Sequence, residues 1–379
     1  MSNRIVKVFI LCSLLLISGS LTTFSQKPAK AKKCFGEVAR NSALLSARVW
    51  MQPDADYDPA LGYSPSSGPR VGAPPSGQNG LTSKLVCSAN KKKDAGGGTT
   101  PKFYCSVASV ADEDGDLIRY KIKPHFKGQA ADKRNGEVYG EFLSSRFSKA
   151  MGFFADDEWV ADVSCPDCGA SLTSKFQGVP FSGEQPAAGI ELPLGKGLDT
   201  DCNDKDTAAL DTAIAQVTAG GESRAEIDAF KLWLAFIDHG DTKTDNHKYS
   251  CLKTTKATDG SLACEQAVFY VSDMGSTFGY SSASEGKARL DKWKGKDPIR
   301  IDDGRCNSTA KSIGDSHVTE AGRALLAAQL QRLIDQERAS GTITKVFEAS
   351  RNSERDRPAR EWTAEFIRKA NTIINAHCK

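Results

Sequence analysis

From Ser223 onward apolar residues recur at helical spacing. Ile227, Phe230, Leu234 and Ile237 fall at i, i+3, i+7 and i+10, with Trp233 beside them. This predicts an amphipathic helix that runs directly into His239-Gly240-Asp241. Upstream the period is shorter. Residues 102–110 and 117–123 read as strands, separated by a turn cluster at 112–116 that contains Gly115. In the second strand Ile118, Tyr120 and Ile122 alternate with Lys121 and Lys123, so both lysines face one side. Residues 137–151 then read as an amphipathic helix, with Val138, Phe142 and Ala150 among its apolar positions and Gly152 closing it. Strand character returns over 153–163, and 165–205 is loop-rich, punctuated by Gly, Pro and Asp. Short strands are expected at 248–252 and 267–272. Helices are expected at 320–338, 343–350 and 358–376, where Pro358 suits a first turn. The order predicts an α+β class: a small β-rich N-lobe with one helix over 83–164, and a larger, mainly helical C-lobe over 165–379.

The first 82 residues carry a different pattern. Arg4 and Lys7 precede an apolar run from Val8 to Ile17, followed by small residues from Ser18, which reads as a signal peptide over 1–25. The run is too short for a comfortable membrane span, so no stable span is expected after cleavage. Residues 26–82 read as a flexible N-terminal segment and a Pro/Gly-rich linker, with a short helix over 37–51. Lys and Arg exceed Asp and Glu by three in the whole chain, and two of those positive charges lie in the leader. The remainder is near neutral, which gives no electrostatic footprint for nucleic acid.

Cysteine usage agrees with an exported, periplasmic or secreted protein. Setting aside Cys12 in the leader, ten cysteines remain, an even number that allows five disulfides in an oxidising compartment. Cys251 and Cys264 flank one polar, Gly-containing loop, and Cys87 and Cys105 flank another; either bridge would staple the base of a hairpin. Cys165-Pro-Asp-Cys168 is open to three readings: a structural disulfide, a redox pair, or half of a zinc site.

The chemistry concentrates in the string HGDTKTDN, His239 to Asn246, and in Asp273-Met274-Gly275 after an apolar stretch that begins at Val268. The first resembles the protein-kinase catalytic loop H-R-D-x-x-x-x-N, and the second resembles D-F-G with Met for Phe. The chain is thereby similar to the protein-kinase-like superfamily. It also resembles a group of exported bacterial proteins with a kinase-like core, through GTTPKF (Gly98 to Phe103), the Glu141 to Phe153 helix segment, and DMGSTFG (Asp273 to Gly279). The resemblance covers roughly residues 83–375 and extends to the phosphatidylinositol-kinase-like and HipA-type branches.

What the resemblance implies is a two-lobed, disulfide-stapled kinase-like fold acting as an Mg²⁺/ATP-dependent phosphotransferase on a hydroxyl-bearing protein or small molecule. Asp241 would take the acceptor proton and Lys243 would neutralise charge on the moving phosphoryl group. Asn246 and Asp273 would offer oxygen ligands to Mg²⁺, a hard cation. Lys123 is the expected phosphate-binding strand lysine, with Lys121 as the other candidate. Glu141 is its expected ion-pair partner, with Glu137 one helical turn earlier as the fallback. Gly97 and Gly98, in a run of three glycines, stand where a loop would cover the phosphates, with a simple turn as the other reading. The chain departs from the pattern at Gly240, which replaces the arginine of H-R-D and argues against control by a phosphorylated activation loop. It also lacks a full G-x-G-x-x-G and an A-P-E. The extra length between Asp241 and Asp273 falls between Cys251 and Cys264, where a disulfide-closed insertion would accommodate it. The competing readings are a catalytically silent kinase-like binding module and a nucleotidyl transferase on the same scaffold.

Overall fold

The computed structural model describes residues 34–74, 84–90, 101–112, 115–124, 136–171, 183–198, 200, 206–256, 261–279 and 288–379. The expected leader lies outside these residues, as do Gly97 and Gly98. In chain order the elements are α1 (Glu37–Leu45), β1 (Leu85–Val86), β2 (Ser88–Ala89), β3 (Phe103–Ala111), β4 (Leu117–Lys123), α2 (Gly136–Ala150), β5 (Asp157–Ser164), β6 (Glu184–Leu192), β7 (Lys196–Gly197), α3 (Leu210–Ala219), α4 (Arg224–Phe236), β8 (His247–Lys256), β9 (Leu262–Val271), α5 (Leu290–Lys294), β10 (Ile299–Asp302), β11 (Arg305–Ser308), β12 (His317–Val318), α6 (Glu320–Ser340), α7 (Thr342–Ala349) and α8 (Ala359–Ile374).

The architecture is bilobal. The first lobe is a six-stranded sheet in the order β1-β5-β6-β4-β3-β2, in which β1 pairs parallel with β5 and every other pair is antiparallel. One face buries Phe103, Ile122, Ile190 and Val163 together with the Cys87–Cys105 and Cys165–Cys168 disulfides. The helix α2 packs against β5 and β6. The second lobe is mainly helical: α4 packs on α6, and α6 on α7 and α8. Two three-stranded sheets, β7-β8-β9 and β10-β11-β12, complete it. The predicted helix after Ser223 forms as α4, with Ser223 and Glu226 making a reciprocal capping box that satisfies exposed amides of its first turn. Its apolar positions Ile227, Phe230, Trp233 and Leu234 are all buried.

A shared aromatic core joins the lobes. Phe147, near the C-terminal end of α2, has ring centroids 4.7 Å from Phe366, 5.5 Å from Phe347 and 6.2 Å from Phe278. Thus α2 lies against the sheet and also reaches the helical lobe through Phe147. Phe236, Trp293 and Trp362 extend the cluster. Among the described residues no helix is long and apolar enough to cross a membrane.

Three stretches differ from the sequence reading. The segment 165–205 contains β6, so the first lobe's sheet reaches Leu192 rather than closing at 164. The last six residues of β6 are all buried; such a strand loses the alternation that marks a half-exposed one, and Pro186 and Gly189 read as breakers. Where the sequence predicts a flexible segment and linker, residues 34–74 hold α1 and pack closely. The helix stops at Leu45, and the chain then runs beside β9, with the Arg48 amide donating to the Ala267 carbonyl at 3.0 Å and the Phe269 amide to the Arg48 carbonyl at 2.9 Å. The helix α3 and the small β10–β12 sheet were not read from the sequence.

Both disulfides suggested by spacing form, Cys87–Cys105 and Cys251–Cys264, and Cys306 pairs with Cys378. Cys34 is disulfide-bonded as well. Cys165 and Cys168 bond to each other. A bonded pair leaves no thiolate there to hold zinc, and it is the form shared by a structural disulfide and an oxidised redox pair.

Candidate active site

Strand alternation places Lys121 and Lys123 on the α2 side of the sheet, while Ile122 points into the opposite core. Pro124 follows and cannot continue the ladder. On α2, Glu137 and Glu141 are one turn apart and lie on one face. Both reach Lys123, whose Nζ lies 2.9 Å from Glu137 Oε1 and forms an ion pair with Glu141 Oε1. Asp273 Oδ1 stands 3.8 Å from the same nitrogen. The expected partner and its fallback therefore both engage Lys123. Lys121 pairs instead with Glu191, directly across the ladder on β6, and Glu158 on β5 stands opposite Glu191 in turn.

Lys123, Glu141, Glu158 and Glu191 are almost completely buried. Burial alone would pull the Lys123 ammonium down, but Asp273, Glu137 and Glu141 outweigh it and hold its pKa well above the ordinary value. For Glu141 burial is the largest cause of an upward shift; Lys123 opposes it, while Asp273 and Glu137 add to it. Glu158 is raised by burial and then by Glu141 and Glu191. Burial is the main reason Glu141 and Glu158 hold their protons, and the neighbouring carboxylates add to it.

The string from His239 to Asn246 leaves α4 after a turn through Asp238, whose φ is 53°. The Gly240 amide donates to the Ser276 carbonyl at 2.8 Å, and the Phe278 amide to the Ile237 carbonyl at 2.6 Å, so the loop is stitched to the segment after Asp273. A 3₁₀ turn over Thr244–Asn246 brings Asn246 back under Asp241; Asn246 Nδ2 donates to the Asp241 carbonyl at 3.2 Å. Lys243 Nζ lies 3.1 Å from Asp241 Oδ2, with the lysine largely exposed. β8 begins at the next residue, and His247 pairs with Val271 at the far end of β9. The Ser272 amide donates to the Asn246 carbonyl at 2.8 Å, which sets Asp273 immediately beyond Asn246.

Asp273 has about a third of its side chain exposed. The following residues lie along α2. A Cβ on Gly140 would stand 2.6 Å from the Gly275 carbonyl oxygen, and one on Gly275 would stand 2.1 Å from Glu137 Cγ, so both positions need glycine for this approach. Thr277 Oγ1 lies 2.7 Å from Ser144 Oγ and donates to the Met274 carbonyl at 2.7 Å. Met274, where protein kinases carry Phe, is buried against the Ser148 hydroxyl. His239 and His247 are buried with ring centroids 6.0 Å apart. Burial first, and for His239 also the neighbouring His247, lowers each pKa to about 4, so both are neutral near pH 7. Their place is behind the loop, as braces.

The structure thus brings Lys123, Glu141, Glu137 and Asp273 together, sets Asn246 and Asp241 beside them through the loop, and places Lys121 one register away. Sequence reasoning passed over three residues. Lys102 precedes β3, and its ammonium is held below the ordinary value by burial and by Lys121 and Lys123, with Asp273 and Glu137 opposing; it belongs to the same electrostatic site. Its signal was the GTTPKF string. Glu158 and Glu191 complete the buried array, and neither strand carried a readable pattern for them. Oxygens of Glu137, Glu141 and Asp273 lie within 4.8 Å of one another, hard donors of the kind that suits a divalent cation, and Lys123 already pairs with both glutamates.

No family model matches the chain, and no curated protein matches it. Among solved structures, the crystal structure of the Helicobacter pylori proinflammatory kinase CtkA is similar over 77% of this chain and 98% of that one, at 8% identity and a TM-score of 0.38.

Proposed function

We propose that this chain is an exported Mg²⁺/ATP-dependent phosphotransferase acting on a hydroxyl-bearing acceptor. The observation that carries the reading is the convergence on Lys123: a buried strand lysine held by two helix glutamates, facing Asp273, whose neighbour Ser272 donates its amide to the Asn246 carbonyl. Lys123 and Lys102 offer positive charge to phosphate oxygens. Glu141 and Glu137 fix the position of Lys123. Asp273 and the Asn246 amide oxygen are the oxygen donors for Mg²⁺, which when bound would neutralise charge on the phosphates. Asp241 orients the acceptor hydroxyl and accepts its proton as the oxygen attacks the γ-phosphorus and ADP leaves. Lys243 lies close enough to Asp241 to reach the transferred group. The described disulfides support an oxidising compartment, hence export.

Thermal unfolding with ATP, with and without Mg²⁺, tests the reading on wild type and Asp273→Ala. Mg²⁺-dependent stabilisation of the wild type that the variant loses is expected. Absence of any nucleotide response in the wild type refutes it and leaves a silent kinase-like module. Mass analysis of products separates phosphoryl from nucleotidyl transfer.

A further inference from the structure

The segment 34–74 is seated on both lobes. On the helical lobe, Arg40 forms a bidentate ion pair with Asp206 at 2.7 and 2.8 Å, Arg48 pairs with Glu222, and the backbone at Arg48 extends the β9 edge. At the junction, Trp50 Nε1 donates to the Met151 carbonyl at 2.8 Å and the Met51 amide to the Gly152 carbonyl at 2.9 Å, both just past the end of α2. On the first lobe, Tyr57 is buried, and the Tyr120 hydroxyl on β4 donates to the Gly72 carbonyl at 2.7 Å. Gly72 also lies against Ile118 of β4 and Leu192 of β6.

Arg70 occupies the decisive place in this strap. Its Nη1 lies 2.9 Å from Asp157 Oδ2 and donates to the Pro193 carbonyl at 3.0 Å. Asp157 is simultaneously paired with Lys149 in the last turn of α2, the helix that carries Glu137 and Glu141. Pro193 opens the crossing at 193–195 between β6 of one lobe and β7 of the other. The next amide, of Leu194, donates to Asp156 Oδ1 at 2.7 Å, and Tyr270 on β9 donates its hydroxyl to that same oxygen at 2.9 Å. One side chain therefore links the strap, the helix with the Lys123 partners, and the hinge.

We propose that residues 34–74 act as a built-in clamp that fixes the two lobes in the arrangement assembling the site, with Arg70 as its positioning residue at the hinge. This deepens the phosphotransferase reading and rests on it for the nucleotide part.

The test is hydrogen–deuterium exchange at the Leu194 amide, together with the ATP/Mg²⁺ midpoint of thermal stabilisation, in wild type, Arg70→Ala and Arg70→Lys. In Arg70→Ala, Leu194 should exchange faster by about tenfold and the nucleotide midpoint should rise by about tenfold, at little change in melting temperature of the unliganded protein; Arg70→Lys should recover part of both. Unchanged Leu194 protection in a folded Arg70→Ala overturns the clamp. Should Arg70→Ala not fold, Tyr120→Phe removes one hydroxyl bond to the strap and must shift Leu194 exchange the same way, or the clamp fails. A wild type without nucleotide response sinks the phosphotransferase reading, while the exchange result still decides the clamp.

Discussion

The amide of Ser272 donates to the carbonyl of Asn246 over 2.8 Å, and this bond places Asp273 beside a residue from which the whole β8–β9 hairpin separates it in sequence. Because β8 starts directly after Asn246 and β9 ends directly before Ser272, the hairpin ladder, with His247 opposite Val271, does the aligning. A disulfide-bonded excursion at the other end can then vary in length without disturbing the site.

The proposed phosphotransferase reading makes Asn246 a ligand of Mg²⁺. Asn246→Ala should raise the Mg²⁺ concentration needed for half-maximal ATP-dependent stabilisation by at least about tenfold, while stabilisation by nucleotide without metal stays the same. A Mg²⁺ titration at fixed ATP, followed by thermal unfolding, measures it. An unchanged midpoint removes Asn246 from the metal site.

The Lys123–Glu141 pair is almost fully buried, so breaking it from one side leaves charge without compensation. Lys123→Met should destabilise the fold by about 3–5 kcal/mol, measured by chemical denaturation. In Lys123→Met/Glu141→Met the loss should be clearly smaller than in Lys123→Met alone, because the double variant removes the stranded carboxylate too. Equal losses in the two would show that Glu137 and Asp273, not Glu141, set the cost.

Much of this site was legible because its residues sit at fixed offsets within single elements: the loop from His239 to Asn246, the alternating lysines of β4, the glutamates one turn apart on α2. The helix α4 was legible for the same reason, a sustained apolar period. What escaped depends on pairing across elements. Glu191 and Glu158 join the site only through the β4-β6-β5 register, and a strand buried along most of its length, such as β6, shows no alternation to read. The strap escaped because its order comes from partners far along the chain, Asp157, Glu222 and Ala267 among them, while its own Pro, Gly and Ser content reads locally as linker.

The disulfides should contribute unequally. Chain-entropy arguments give about 3 kcal/mol for closing the Cys251–Cys264 loop and about 4 kcal/mol for the much longer Cys306–Cys378 loop. The latter ties the last residues to β11 of the helical lobe. Paired Cys→Ala variants compared by urea denaturation should rank in that order. Cys251→Ala/Cys264→Ala should keep its Mg²⁺-dependent nucleotide response, since the hairpin end carrying Asn246 and Asp273 remains paired. Loss of that response with the fold intact would mean that the excursion itself shapes the site.

Acid sensitivity should trace to His239 and His247. Their folded pKa of about 4 lies below the ordinary 6.5, so the unfolded chain binds more protons between those values. The stability they contribute is fully present above about pH 6.5 and is lost as pH falls through about 4, on the order of 3 kcal/mol per histidine. Buried carboxyls act in the opposite sense, Glu141, Glu158 and Asp238 among them. Asp156 is raised to about 6 and Glu222 to about 7, each chiefly by burial, so their contributions grow as pH falls. The raw pH profile of the wild type therefore mixes the two. Comparison with His239→Gln/His247→Gln isolates the histidine part, because the carboxyls are common to both proteins. Urea unfolding near pH 7 and about pH 4.5 should show the wild type losing more stability than the variant over that interval. Parallel losses would mean that the imidazoles already titrate normally in the folded protein, and that the space behind the catalytic loop is open to water.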